Sequence, residues 1–250
     1  VTDPNGATTS YAYDELGRIT SVTDPTGATQ ALRYDAAGNL LAVTDALGGV
    51  TAFTYDGLHR PTSQIDTLGG VTRLAYDALG RVTERTDPLG RMTHLSYDAS
   101  GLLASLTDPT GAVTRFDYDG EGRQVRRTDP LGQAWTRSYD LTGRLVTETD
   151  PLGNETRYAY DETGNLSALT NPAGNITRYD YDWAGRLSRV VDALGGETAY
   201  TYDLAGNLTA VTDANSHATL RQYDLLGRLT SETDPTGAVT QYAYDPAGRL

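Results

Sequence analysis

The 250-residue chain contains no cysteine and no lysine, one methionine and two tryptophans. Without cysteine there is no disulfide framework and no thiolate metal site. No apolar run approaches the roughly 18 residues that a spanning helix needs, so no transmembrane segment is expected. The opening residues VTDPNGATTS offer neither a basic nor an apolar leader region, so no signal peptide is expected there. The chain begins and ends within a repeat and is expected to be a segment of a longer protein. Its formal charge is -13, unfavourable for nucleic acid. All basicity comes from arginine, whose planar head pairs with carboxylates and stacks on aromatic rings. A GC-rich codon bias accounts for the same observation.

What the chain does have is a period. Tyr-Asp occurs at Tyr13, Tyr34, Tyr55, Tyr76, Tyr97, Tyr118, Tyr139, Tyr160, Tyr181, Tyr202, Tyr223 and Tyr244, always 21 residues apart. Four residues after Tyr comes Gly in eleven of twelve repeats, His59 being the exception, and then Arg in eight and Asn in three. A second Asp recurs in eleven of twelve, with Asn171 the substitute, and Gly closes that group in eleven. These two positions hold 23 of the 25 Asp residues, so the acidity follows from the repeat.

Both halves therefore contain Asp-x-x-Gly, as in Asp14 to Gly17, Asp24 to Gly27, Asp35 to Gly38 and Asp119 to Gly122. An Asp carboxylate accepts main-chain N–H groups two or three residues ahead. Pro25 presets φ for a type I turn, and the closing Gly supplies the left-handed residue of a G1 bulge. Between the turns lie short segments rich in Thr, Val, Leu and Tyr, such as RITSVT (18–23). About two dozen short strands and no helix are expected. Ten of twelve repeats place Thr four residues before the Tyr, and ten place Tyr, Phe or Leu two before it, Arg137 and Arg221 excepted. Period two puts this set on one face and variable residues such as Arg115 and Asp117 on the other.

Open twisted sheets rarely exceed about ten strands without curling or splitting. The reading is all-β: tandem 21-residue hairpins in one array over residues 1–250, forming a long curled antiparallel sheet. The twelve Tyr are expected to be its structural core and the named Asp and Gly its turns. A two-sided parallel solenoid is the rival β-fold.

The pattern YDxxGRL…DPxG…Y resembles the RHS, or YD, repeat of rearrangement-hotspot proteins. It is similar to repeats of toxin-complex C subunits, wall-associated proteins and teneurins. The resemblance implies a strip that spirals into a hollow shell, enclosing a C-terminal toxin domain in the bacterial toxins. The family's core-end signature, DPxGxxxGxNxYxYxxNP, does not occur here, so its self-cleavage chemistry lies outside this segment or is absent.

No catalytic, cofactor or metal site is expected. His59, His94 and His217 occupy different repeat positions, and His59 is expected to mark a distorted turn. DYDGEG (117–122) is the densest acidic cluster, but it lacks Ca²⁺-loop spacing. Four Asn-x-Ser/Thr triplets, at Asn154, Asn165, Asn175 and Asn207, follow from the consensus, and no glycan is expected outside a eukaryotic source. The functional expectation is a non-catalytic shell wall of a secreted or surface protein. Its partners would be further repeats and a C-terminal effector domain. The alternative is a self-associating fibre or adhesin whose variable face binds glycans or proteins.

Overall fold

The computed structural model describes residues 1–2, 6–245 and 248–250. Two compact units are present, Val1–Gln133 and Ala134–Leu250. The first carries twelve strands, from β1 (Ser10–Tyr13), β2 (Ile19–Thr23) and β3 (Thr29–Tyr34) to β12 (Gln124–Thr128). The second carries eleven, from β13 (Ala134–Tyr139), β14 (Leu145–Thr149), β15 (Glu155–Tyr160) and β16 (Leu166–Thr170) to β23 (Val239–Gln241). No helix occurs among the described residues. Within each unit, strands adjacent in sequence pair antiparallel, as β1 with β2 and β13 with β14. That pairing is the expected hairpin array and excludes the parallel solenoid.

Each turn is closed by main-chain bonds. The Gly17 N–H donates to the Asp14 carbonyl at 3.0 Å, and the Asp14 N–H donates to the Arg18 carbonyl at 3.0 Å. Gly17 takes φ 76°, the left-handed conformation that a G1 bulge requires. The carboxylate completes the turn differently from the sequence expectation. Asp14 Oδ1 accepts the N–H groups of Leu16 (3.0 Å) and Arg18 (2.9 Å), two and four residues ahead. Asp24 accepts those of Thr26 and Ala28, and Asp119 those of Glu121 and Arg123. The N–H three ahead is already committed to the Asp carbonyl, which leaves the fourth for the side chain.

The register explains the repeat length. Tyr13 pairs with Ile19, but Ala12 pairs with Ser21, so Thr20 is an extra residue in β2. The same bulge recurs in β14, where Tyr139 pairs with Leu145 and Ser138 with Thr147. Ser10 faces Thr23, which faces Thr29 in the next strand. The lateral neighbour thus lies nineteen residues along, against a repeat of twenty-one, so successive repeats are offset by two residues. Thr136, Thr149 and Glu155 give the same offset in the second unit. Because side chains alternate with period two, an odd offset would flip alternate repeats to the opposite face. One bulge in each 21-residue repeat makes the offset even and keeps the repeat Tyr residues of each unit on one face. Two residues of rise, about 6.7 Å, across two strands, about 9.6 Å, tilt the strands by about 35°.

Neither unit has a dry core. Ala42, 8% exposed, is the only buried residue among those described. The tyrosine face is half-buried along most of its length, and Tyr13 in the first strand is 59% exposed. The expected Tyr core is therefore a ladder on one side of a single layer.

Gly122 has φ 80°, whereas Gly120 lies outside the positive-φ region. A Cβ on Gly120 would meet nothing within 4 Å. Gly122→Val is expected to weaken its hairpin by roughly 1–3 kcal/mol more than Gly120→Val. Hydrogen exchange of the β11 (Val113–Tyr118) and β12 amides measures this, and equal losses would contradict the turn assignment.

Candidate functional site

The recurring chemistry gathers where one repeat meets the next. The residue after the first turn's Gly is usually Arg, and its head is held twice. Arg81 Nε donates to Asp77 Oδ2 at 2.7 Å, and its guanidinium lies 4.5 Å from the centre of the Tyr97 ring. The stack recurs for Arg18 on Tyr34, Arg60 on Tyr76, Arg144 on Tyr160, Arg186 on Tyr202 and Arg228 on Tyr244, at 4.5 to 4.9 Å. Arg18, Arg60 and Arg186 also donate Nη1 to the carbonyl of the next repeat's Asp. The Tyr hydroxyl points backward: Tyr97 donates to the Val82 carbonyl at 2.7 Å, and Tyr55, Tyr118, Tyr160, Tyr181, Tyr202, Tyr223 and Tyr244 each donate to the carbonyl fifteen residues earlier. Arg and Tyr thus clasp adjacent repeats from both directions.

Many of the turn carboxylates are shifted toward the ionised form. At Asp14 the Arg18 main-chain N–H is the largest cause, opposed by desolvation and aided by the Arg18 side chain and the Leu16 N–H, and the carboxyl falls below its ordinary value. The Thr26 hydroxyl is the first cause at Asp24, and the Asn39 amide at Asp35. At Asp119 desolvation is the largest effect, but the Arg123 N–H, the Arg123 side chain and the Glu121 N–H together outweigh it.

The exceptions to the repeat explain one another. Arg137 and Arg221 replace the apolar residue two before the Tyr, and each stands directly opposite a glutamate, Glu148 and Glu232. Arg137 Nη2 donates to Glu148 Oε1 at 2.7 Å, and Arg221 Nε to Glu232 Oε2 at 2.8 Å. His59 does not distort its turn: it adopts φ 63°, keeps the 3.0 Å bond to the Asp56 carbonyl, and meets the short side chain of Asn39 at 3.0 Å. An Arg at position 39 would crowd it, as Arg81 Nη1 would lie 3.2 Å from a Cβ on Gly101. The three histidines remain apart, His94 beside Glu84 and His217 beside Asp213. In DYDGEG, Asp119 is committed to its turn and to Arg123, while Asp117 pairs in register with Arg126.

The Teneurin YD-shell family model matches residues 2–136, more than half of the chain. The chain belongs to the RHS/YD-repeat family. RHS Repeat models match residues 139–176, 160–195, 181–218 and 223–250. Comparison with curated proteins finds no match. Among solved structures, that of TcdB2-TccC3-Cdc42 aligns with TM-score 0.74 at 21% identity, over 97% of this chain and 15% of that one. TcdB2-TccC3 aligns with TM-score 0.59 at 18% identity, over 99% and 17%. The Photorhabdus luminescens Tc holotoxin pore aligns with TM-score 0.56 at 19% identity, over 97% and 17%. The chain spans about one-sixth of the length of these proteins, and the likeness is one of fold.

Three outcomes are expected. Tyr97→Phe removes one hydrogen bond and should cost about 0.5–1.5 kcal/mol locally, read as faster exchange in β8 (Val82–Thr86) and β9 (Met92–Tyr97). In a double-mutant cycle, Arg137→Tyr with Glu148→Val should couple favourably by about 0.2–1 kcal/mol relative to the two single changes. On acidification, the lowered native pKa values make the Asp contribution fully present above the unfolded value of about 3.9. It is lost as pH falls through the lower native values, so circular dichroism should hold from pH 7 to 5 and decline below about 4.

Proposed function

We propose that this segment is wall of a hollow RHS/YD shell, part of a longer secreted or surface protein that encloses or displays an effector domain. The observation that carries the reading is the constant two-residue offset, which keeps one face inward-compatible while tilting every strand by about 35°. A strip built this way winds without flipping its faces, and both units share the rule. Family membership and the fold shared with Tc toxin structures support the same role. Its mechanism is containment by a continuous hydrogen-bonded wall. Catalysis has no part in it, because the recurring carboxylates are committed to their own turns and the histidines stand apart. On this reading the two units are stretches of one array whose 21-residue phase is unbroken in sequence.

Electron microscopy of the full parent protein tests the proposal. The expected image is a hollow particle with a single-sheet wall about 10 Å thick. The domain following the repeats should resist protease until the wall is opened by acid. A solid rod or an open fibre, with that domain cleaved at once, would overturn the reading.

A further inference from the structure

Asn165 occupies a position that Arg fills in most repeats. Its amide reaches only its own turn, donating to Asp161 Oδ2 at 3.1 Å and to the Thr163 hydroxyl at 2.8 Å. The ring it would otherwise cover, Tyr181, borders a cavity of about 490 Å³ lined also by Asp161, Asn165, Asp182 and Trp183. Six equivalent positions place an in-chain guanidinium over the corresponding ring. The other repeats that lack Arg differ from this one. In the repeat of Tyr55 the matching residue, Asn39, is engaged with His59 at 3.0 Å. At Tyr118 the position holds the apolar Leu102, and at Tyr223 the residue matching Trp183 is Leu225.

Two further features set the site apart. Trp183 is the only aromatic residue found two positions after a repeat Tyr, and it is 91% exposed. Asp182 is neutralised by Arg186 at 2.6 Å, but Asp161 has no ion-pair partner among the described residues. Its charge is felt at the ring, since burial first and the Asp161 carboxylate second raise the Tyr181 hydroxyl above its ordinary value.

We propose that the cavity over Tyr181 is a docking seat for an arginine side chain of a partner polypeptide. The guanidinium would stack on Tyr181, pair with Asp161 and rest its stem against Trp183. The six filled copies give the chemistry of the seat, a planar cation between a carboxylate and a phenol ring. The inference is independent of the shell reading, since it concerns one turn of one repeat.

The test is titration of the whole chain with N-acetylarginine methylamide, followed by amide resonances of residues 181–185. Saturable shifts at millimolar concentration are expected, with none from the uncharged citrulline analogue. Asn165→Arg restores the consensus, so the variant should fold, fill the seat from within and abolish the shifts. Trp183→Ala should weaken binding several-fold. No shift in the parent chain, equal shifts with citrulline, or undiminished binding by Asn165→Arg would each overturn the proposal.

Discussion

The carboxylate that closes each Asp-x-x-Gly turn is the interaction on which the rest of the structure depends. One oxygen gathers two main-chain N–H groups, and the left-handed glycine returns the chain antiparallel to itself. In a protein with a thick core, turns follow from packing. Here only one of the described residues is buried, so local turn chemistry and the strand ladder bear the weight that side-chain burial carries elsewhere. Each repeat contacts its neighbours and little else, the quasi-one-dimensional regime of repeat proteins. The Arg–Tyr clasp then adds cohesion across the joint between repeats, where a bare sheet would have backbone bonds alone.

Parity is the second constraint. A repeat of odd length cannot hold constant faces in a regular meander, because side chains alternate with period two. The bulge at Thr20 and its counterparts absorbs the odd residue. It also sets the offset between repeats, and with it the tilt of the strands. A local irregularity of one residue thus decides a property of the sheet in each unit, which is the usual use of bulges in curved sheets.

Much of this was legible in the sequence. The turns were readable because Asp, Pro and Gly act within four residues of themselves. The two faces were readable from Thr, aromatic and Tyr spaced two apart. The partners of the exceptions were not, because they lie across the sheet. Arg137 looks like a flaw until the bulge-shifted register sets it opposite Glu148. His59 reads as a damaged turn until Asn39, twenty residues earlier, is found beside it. The odd period itself held the missing signal: 21 residues with two identical turns require one bulge per repeat.

The sequence alone determined an all-β hairpin array, its turn positions, its family and the face on which the Tyr residues stand. Each of these rests on interactions between residues close along the chain or on strict repetition. Only the tertiary structure decided the two-residue offset, the stacking of turn Arg residues such as Arg81 on the Tyr sixteen residues ahead, and the open seat over Tyr181. Those depend on which residues a strand meets in its neighbour, and hydrogen-bond register is set by a bulge that no single residue type announces.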